Sequence, residues 1–358
     1  MKVLHVIYDD VGNPWVGGGG AVRAHRIYEA LGSKVLARLL CGAYPGARDD
    51  ERRRHVGIGG GYRRSRASFI VAAQRALVRE RYDAAVIDFS GWSPLFAPSH
   101  RPVGLTIHHL TGPNAEKRVG PLAARVVSAL ERRCVSRART VSLTARSTEA
   151  LVRPMLRSDV DVHHVAAGAD DRFFSVKRAE KPYFLALGRL DIVHKGLDVL
   201  LRAFAHARLP GLELVFAGRG RDGARLESFA RELGVERSVR VLGPVSDAQQ
   251  LELLGHALAV VMPSRFEGFG MAAVEALAAG APFIATAIPA LLEVAEGAGR
   301  FVPPEDVNAL AQEMITIASD EALRSELSSR SRVAAARFRW STVAQDHLRF
   351  LEAIARSA

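Results

Sequence analysis

The sequence contains only two cysteines among its 358 residues, Cys41 and Cys134. Two cysteines cannot build the disulfide framework of a small secreted protein, and neither stands near other metal-ligating residues in the sequence. We therefore expect both to be reduced core residues of a cytoplasmic protein. Long apolar runs are also missing, because no stretch approaches the roughly 18 residues that a transmembrane helix requires. The N-terminus becomes acidic too early for a signal peptide, so we expect neither a membrane span nor export.

Aromatic residues make up only 7% of the sequence, and they do not alternate with the arginines. Single-stranded nucleic acids are usually held by basic grooves with interleaved aromatic rings, so we expect no nucleic-acid partner. Histidines at recognisable metal-ligand spacing are missing as well. Asp159-Val-Asp161 has the spacing of a metal-binding DxD motif, but alternate positions on a surface strand explain it. We expect no essential metal and no organic cofactor.

Acidic residues are scarce in the first half of the chain. Residues 1–180 contain 29 Lys and Arg against 17 Asp and Glu, whereas residues 181–358 contain 20 against 21. A genome-wide arginine bias would affect both halves alike, so we expect the two halves to contact different partners. An anionic partner molecule, such as a phosphorylated lipid or a sugar phosphate, would explain the basic half.

A membrane surface is a second explanation of the basic half. Residues 119–139 place Leu122, Val126 and Leu130 at helical spacing, with five arginines on the other faces. The alternative is an amphipathic helix that packs its apolar side inward and exposes its arginines to water. The sequence leaves both interpretations open, and it is compatible with a cytoplasmic protein that contacts the inner face of the membrane peripherally.

The chain alternates short apolar runs with stretches of helical periodicity, which is typical of α/β domains with parallel sheets. Its length exceeds what one core usually supports, so we predict two Rossmann-like domains. Residues 172–181 lack periodicity, and we place the boundary there, with domains at 1–175 and 176–337. Residues 48–66 are predicted to form a long surface loop. The predicted strands are 2–8, 35–40, 84–88, 103–107, 140–143 and 160–165, then 183–187, 212–217, 239–242, 259–262 and 282–285.

The most informative segment is residues 267–275, Glu-Gly-Phe-Gly-Met-Ala-Ala-Val-Glu, which follows a predicted strand. Two glycines keep the turn open, so three successive amides are expected to point outward at a helix N-terminus. Such amides and the helix dipole form an anion site. One carboxylate before the helix and one about two turns inside it can accept hydrogen bonds from hydroxyl groups. A diphosphate flanked by hydroxyls is the chemistry of a nucleotide sugar. The residues concerned are Glu267, Gly268, Gly270, Met271, Ala272 and Glu275.

A second motif places Arg189 and Lys195 in one loop after a predicted strand. Arginine forks onto phosphate oxygens, and lysine offers a compact point charge. A loop that contains both can neutralise a departing diphosphate without a divalent metal. As isolated residues they would be ordinary surface cations. The adjoining glycines, Gly188 and Gly196, and the anion site downstream favour the functional interpretation.

Taken in order, these motifs resemble the retaining glycosyltransferases of the GT-B fold, family 4. The resemblance implies two Rossmann-like parallel-sheet domains that face a cleft, with a C-terminal helix at 338–358 packing back on the first domain. The matching landmarks are residues 17–20 (GGGG), 106–108 (TIH), 167–170 (AGAD), 188–189 with 195–196, 216–220 (FAGRG), 241–243 (VLG), 267–282 and Trp340.

The resemblance implies a role for each matching residue. Arg189 and Lys195 would hold the donor diphosphate, Glu267 would contact the hydroxyls of the donor sugar, and Glu275 would contact the ribose. His108, at the end of a predicted strand, would lie near the distal hydroxyl of the transferred sugar. The other donor-binding positions would be Gly18, Gly19, Gly20, Gly188, Gly218, Leu242, Gly268, Phe269, Gly270, Met271 and Ala272.

The predicted reaction moves a sugar from a nucleotide-diphosphate donor, a UDP- or GDP-sugar, to a hydroxyl of a glycan, lipid-linked or natural-product acceptor. The resemblance implies retention of configuration by front-face attack. Two alternatives remain: a sugar-nucleotide epimerase of the same fold, and a non-catalytic scaffold that binds nucleotide sugars. Gly218 also opens a GxGxxG pattern, but the acidic residue that a dinucleotide site requires is missing from the end of the next strand. A dehydrogenase is therefore not favoured.

Overall fold

The computed structural model describes residues 1–16, 18–90, 93–110 and 120–357. The chain divides into two compact units, Met1–Ala167 with Trp340–Ala358, and Gly168–Arg339. The sequence places the boundary between residues 175 and 176, whereas residues 168–175 fall in the second unit. The reason is local packing, because the short helix Asp171–Phe174 lies against Met271–Ala278 of that unit.

The first unit is built on one seven-stranded sheet in which every pair of neighbouring strands is parallel. The strands are β1 (Lys2–Val6), β2 (Leu36–Gly42), β3 (Arg53–Val56), β4 (Ala84–Asp88), β5 (Val103–Ile107), β6 (Thr140–Leu143) and β7 (Asp161–His164). Their order in the sheet is β3-β2-β1-β4-β5-β6-β7. The helices before the boundary are α1 (Gly19–Leu31), α2 (Tyr62–Arg79), α3 (Pro121–Val135) and α4 (Glu149–Val152).

The second unit repeats the scheme with six parallel strands in the order β10-β9-β8-β11-β12-β13. The strands are β8 (Tyr183–Leu187), β9 (Glu213–Ala217), β10 (Val239–Gly243), β11 (Ala259–Met262), β12 (Phe283–Thr286) and β13 (Gly299–Val302). The helices are α5 (Asp171–Phe174), α6 (Ile192–Lys195), α7 (Leu197–Ala207), α8 (Gly223–Glu232), α9 (Asp247–His256), α10 (Met271–Ala278), α11 (Pro289–Ala295), α12 (Val307–Ser319) and α13 (Glu321–Ala335). Throughout the part of the chain described in either unit, every helix is too short or too polar to span a bilayer.

The last helix, Trp340–Arg356, packs on the first sheet beside α1. Its residues Phe350 and Ile354 are fully buried and lie against Gly104 of β5. A Cβ atom at position 104 would come within 2.5 Å of Ile354 Cδ1, so the helix can approach the sheet this closely only over a glycine. The chain therefore ends on the first unit, as the resemblance implies.

The predicted surface loop at residues 48–66 is wrong in two respects. Residues Arg53–Val56 form β3, which pairs with β2 at the edge of the sheet, and α2 already begins at Tyr62. The strand is polar, so hydropathy gives no sign of it. Asp50 instead fixes the turn that enters it, because its carboxylate accepts hydrogen bonds from the amides of Arg52 and Arg53 at 2.9 and 2.6 Å. In the second unit, β13 is also absent from the predicted strands.

Candidate active site

The direction in which the chain adds strands to the second sheet reverses between two neighbouring strands, β8 and β11. The chain runs outward from β8 to β10 on one side, and later from β11 to β13 on the other. Open α/β sheets bind ligands beyond the carboxyl ends of their strands at such a point. The two loops that leave these strands, residues 188–196 and 263–270, contain seven of the predicted donor-site residues: Gly188, Arg189, Lys195, Glu267, Gly268, Phe269 and Gly270.

Lys195 and Glu267, which stand on different loops, form an ion pair. Nζ of Lys195 donates to Oε1 of Glu267, and the hydroxyl of Ser264 donates to the same oxygen at 2.9 Å. The two side chains are 21% and 9% exposed, so the pair is largely shielded from water. Arg189 is exposed at the head of the same loop as Lys195, and both line a small cavity with Pro263 and Ser264. The structure thus brings both predicted cations to one cavity.

Two glycines allow the loops of this site to approach one another. Gly196 has φ of +61°, and a Cβ atom there would lie 2.1 Å from the carbonyl oxygen of Pro263. Gly218 has φ of +143°, and a Cβ atom there would lie 1.8 Å from the carbonyl oxygen of Gly188. Any side chain at either position would push the loops apart. Leu242, near the end of β10, is 37% exposed beside the Gly218 loop.

Helix α10 starts at Met271, after Gly270 in the left-handed conformation with φ of +101°. The first amides of any helix lack intrahelical acceptors, so those of Gly270, Met271 and Ala272 are the ones that an anion would meet. Ala272 lies close to Gly188, since a Cβ atom on Gly188 would be 3.8 Å from that of Ala272. Gly268 is half-buried. The ring of Phe269 packs edge-on against Phe338 with centroids 5.7 Å apart, which leaves its backbone as the part able to contact a donor.

Glu275 is half-buried on α10 and accepts a hydrogen bond from Nε2 of Gln250 at 2.7 Å. Burial raises the pKa of the Glu275 carboxyl from 4.5 to about 7, and the charge of Asp170 adds to the rise while Gln250 opposes it. The group therefore titrates near neutral pH. Gln250, on α9, is not among the predicted site residues, because a single glutamine in an amphipathic helix gives no sequence signal of a functional role.

Substitution of Glu275 by glutamine tests this raised pKa. A carboxyl with a raised pKa in the folded state holds a proton that the unfolded chain has lost, so its favourable contribution disappears as pH rises from about 4.5 to about 7. We expect the wild-type protein and Glu275→Gln to be equally stable near pH 4, and the variant to be more stable by about 3 kcal/mol at pH 8. Urea unfolding at several pH values measures the difference, and a constant difference across that range would contradict the assignment.

Arg265 ties the two loops together, although the sequence did not single it out. Its guanidinium forks onto Asp198 at 2.8 and 2.9 Å and also donates to the carbonyl oxygens of Ile192 and Val193, both at 3.1 Å. A second carboxylate, Glu305, lies 2.8 Å from Nη2. The Lys195 turn is therefore held by the residue that stands two positions before Glu267.

Asp222 supports the same turn from the other side. Its carboxylate is buried and accepts a hydrogen bond from the amide of Ile192 at 2.9 Å. Asp191 caps the short helix α6 by accepting from the amide of His194 at 3.0 Å. The side chains of Asp191, Asp222 and Arg265 thus fix residues 192–194, the part of this loop that precedes Lys195.

His108 stands directly after β5 in the first unit, and its Nε2 lies 3.3 Å from Asp88, the last residue of β4. The other oxygen of Asp88 lies 3.4 Å from Nε2 of His5 on β1. Although burial alone would raise it, the two histidines hold the pKa of Asp88 well below its usual range. Tyr28 continues the network, since its hydroxyl lies 2.8 Å from Nδ1 of His5 and 3.2 Å from Nε2 of His347 on the last helix.

The structure also brings Gly20, one of the predicted glycines of the first unit, next to His108. A Cβ atom on Gly20 would lie 3.6 Å from His108 Nε2, and one on Gly18 would lie 3.4 Å from Oδ2 of Asp9. Gly19 is exposed at the first position of α1. Burial raises the pKa of Asp9 to about 6. The remaining glycine of the run, Gly17, lies outside the described residues.

Within the described ranges, one group of side chains has the composition and spacing of potential metal ligands. It consists of Asp10, Cys41 and His55, whose ligand atoms lie within 4.8 Å of one another. The group already forms a hydrogen-bond network, because Asp10 accepts from Tyr44 at 2.6 Å and from Arg53 at 3.2 Å. A guanidinium in contact with the carboxylate opposes a second cation there. Cys41 and Cys134 are both buried and free, and burial raises the pKa of Cys134 to about 11.

Comparison with known families identifies residues 169–334 as a match to the family described as Glycosyl transferases group 1. Over 195 residues the chain is 35% identical to a phosphatidyl-myo-inositol mannosyltransferase of Mycolicibacterium smegmatis, a match that covers 53% of this chain and 50% of the relative. Over 274 residues it is 30% identical to an MMP alpha-(1->4)-mannosyltransferase of Mycolicibacterium hassiacum, covering 72% of this chain and 67% of the relative. The chain thus spans between half and two thirds of the length of these two relatives.

Solved structures share the fold of the whole chain. The sucrose-phosphate synthase of Thermosynechococcus elongatus superimposes with a TM-score of 0.82 at 21% identity, and each chain is covered completely. The Anabaena protein HepE, in complex with UDP and glucose, superimposes with a TM-score of 0.76 at 18% identity, covering 99% of this chain and all of HepE. The expected fold class, GT-B with two Rossmann-like parallel-sheet domains, is confirmed.

Proposed function

This chain belongs to the group 1 glycosyltransferases, and from that membership we propose that it transfers a sugar from a nucleoside-diphosphate donor to a hydroxyl acceptor, with retention of configuration and without a metal. The observation that carries the proposal is the Lys195–Glu267 pair, which joins the loop after β8 to the loop after β11. Lys195 and Arg189 line the same small cavity. The two cations would bind the phosphate oxygens of a diphosphate, and the carboxylate would accept a hydrogen bond from a sugar hydroxyl.

Charge separation at the anomeric carbon explains the arrangement of the donor residues. When the bond to the diphosphate breaks, negative charge develops on the phosphate oxygens and positive charge on the sugar ring. Arg189, Lys195 and the open amides of α10 stabilise the departing diphosphate where its charge develops. Ser264 and Lys195 hold Oε1 of Glu267, and we assign its Oε2 to a hydroxyl of the donor sugar.

The acceptor hydroxyl attacks from the face that the diphosphate leaves. The new bond joins the acceptor oxygen to the anomeric carbon, the bond from that carbon to the phosphate oxygen breaks, and the acceptor proton passes to the departing phosphate oxygen. No side chain is needed as a nucleophile in this route. Glu275 accepts a hydrogen bond from the ribose, and its carboxylate form is the better acceptor, so we assign stronger nucleotide binding to pH values above about 7.

We assign the acceptor to the first unit, whose basic composition suits an anionic or lipid-linked molecule, and His108 to a hydroxyl of the transferred sugar. The protein would work in the cytoplasm, in peripheral contact with the membrane. The names of the mannosyltransferase relatives support a hexosyl group, and the UDP bound to HepE supports a UDP- or GDP-sugar as donor.

A donor screen tests the proposal. We expect one class of UDP-, GDP-, ADP- or TDP-sugar to raise the unfolding temperature of the full chain, and the shift to be the same with and without EDTA. Anomeric configuration of the product, measured by NMR, checks retention. Loss of the shift in EDTA would contradict metal independence, and the absence of any shift would contradict the donor class. Product analysis with donor alone distinguishes an epimerase, and release of nucleoside diphosphate distinguishes a non-catalytic scaffold.

A further inference from the structure

Helices α2 and α3 lie on the same face of the first sheet. They connect β3 to β4 and β5 to β6, two crossovers that run in the same direction along the sheet, and right-handed crossovers place both helices on one face. Their inner residues belong to one hydrophobic cluster, whereas those of α1 and the last helix belong to another. Phe96 lies between them, because Gln74 of α2 bonds its backbone at 2.9 and 3.0 Å and Arg137, just after α3, lies over its ring.

The outward sides of these two helices carry no acidic side chain. Helix α2 contains no Asp or Glu, and the one acid of α3, Glu131, is only 2% exposed. Exposed aliphatic side chains stand among the arginines, with Leu122 at 76% and Val126 at 55%. The arginine surface, as we call it, consists of Arg63, Arg64, Val71, Arg75, Val78 and Arg79 on α2, and Leu122, Arg125, Val126, Arg132 and Arg133 on α3.

The opposite face of the same sheet has a different composition. Helix α1 pairs Arg26 with Glu29, and the last helix pairs Arg349 with Asp346. A uniform excess of arginine would give the two faces similar surfaces. The concentration of unmixed positive charge on α2 and α3 therefore indicates a partner with many negative charges.

A bilayer with anionic headgroups fits this surface better than a nucleic acid. Each Arg close to an anionic membrane contributes about 1 kcal/mol, and aliphatic side chains on a basic helix enter the boundary between headgroups and acyl chains. Single-stranded nucleic acids stack their bases on exposed aromatic rings. The one exposed aromatic residue of α2 and α3 is Tyr62, at the first position of α2, and its ring already packs edge-on against Tyr8 and Trp15. Seven arginines on two neighbouring helices suit a flat, extended array of charges.

We propose that the arginine surface binds anionic lipid headgroups and holds the chain on a membrane through its first unit. The proposal rests on the peripheral location given under Proposed function and names the residues and the lipid charge responsible. Helix α2 then contributes as much to membrane binding as α3 does. The sequence pattern of residues 119–139 indicates only α3.

Flotation of the full chain with lipid vesicles tests the proposal. We expect binding to phosphatidylcholine vesicles that contain about 30% phosphatidylglycerol, no binding without it, and loss of binding between about 50 mM and about 500 mM NaCl. Arg125→Gln with Arg132→Gln and Arg133→Gln should weaken partitioning by about 100-fold, at about fivefold for each arginine. Arg64→Gln with Arg75→Gln and Arg79→Gln should have a similar effect.

A matched control removes the same charge from the second unit, by Arg231→Gln with Arg237→Gln and Arg330→Gln, and should still float. Equal loss in this control would mean that only net charge matters, and wild-type flotation of either surface variant would also overturn the proposal. Tighter binding of a single-stranded oligonucleotide than of the anionic vesicles at the same salt would assign the surface to nucleic acid instead.

The affinity for nucleoside diphosphate, measured by calorimetry, should be unchanged in both surface variants. Failure of the wild-type chain to bind any nucleoside diphosphate would overturn the donor assignment and leave the flotation result standing.

Discussion

Replacement of Lys195 or Arg189 by alanine should lower kcat/KM for sugar transfer by at least about 100-fold each. In the proposed reaction both cations meet the diphosphate where charge develops in the transition state, and loss of one strong donor to such an oxyanion costs on the order of 3 kcal/mol. Lys195 has the added task of holding Oε1 of Glu267. Steady-state rates over a range of donor concentrations separate the effect on kcat from that on KM.

Exposed cations elsewhere in the second unit provide the controls for this pair. Lys181 is exposed and lies 3.8 Å from Glu252, and Arg300 forks onto Glu313, so neither touches the two loops of the site. Lys181→Ala and Arg300→Ala should retain transfer within about twofold of the wild type. Near-wild-type rates in Lys195→Ala and Arg189→Ala would show that the diphosphate is held elsewhere.

Arg265→Ala should reduce donor affinity and kcat/KM by about 10- to 100-fold without removing a residue that we assign to the donor itself. The guanidinium holds the carbonyl oxygens of Ile192 and Val193, so its loss frees the turn that aims Lys195. Misplacement of a catalytic group by about 1 Å is enough for an effect of this size. Arg265→Lys keeps the charge but loses the fork onto Asp198, and it should recover little of the activity.

A double-mutant cycle separates positioning from simple loss of stability. If Arg265 acts through Lys195, Arg265→Ala should weaken binding of the nucleoside diphosphate far less in a Lys195→Ala background than in the wild type. Arg300→Ala removes an ion pair with the same forked geometry and should show no such coupling. Additive losses in the cycle would mean that Arg265 affects the donor by another route, and calorimetry on folded protein gives the affinities.

The sequence singles out the two loops of the site because their residues form local patterns. Each motif can be recognised within a short stretch of sequence: two glycines before a helix with an acid on either side, and the Gly-Arg…Lys-Gly loop. The strands that precede them, β8 and β11, are short apolar runs. The structure adds that these strands are neighbours, which brings Lys195 to Glu267. Pairing between strands that lie far apart in the sequence is a property of the sheet, and no local pattern encodes it.

Other parts of the site are invisible to sequence patterns for the same reason. Arg265, Asp222 and Gln250 act through contacts with distant segments, and each looks like an ordinary surface residue in its own segment. The pairing of Asp88 with His108 depends on β4 and β5 lying side by side. The polar strand β3 lacks hydrophobic alternation, so only its backbone pairing with β2 reveals it.

The course of the chain between its two units has a practical consequence for protein engineering. The second unit is one uninterrupted segment, inserted into the first, and its entry and exit lie together, because the amide of Ala169 donates to the carbonyl of Phe338 at 2.8 Å. A short linker that joins residues 167 and 340 is therefore the design we expect to preserve the first unit when this segment is removed. A fragment that simply stops at residue 167 would instead lose Phe350 and Ile354 from its core and His347 from the chain of contacts that begins at His108.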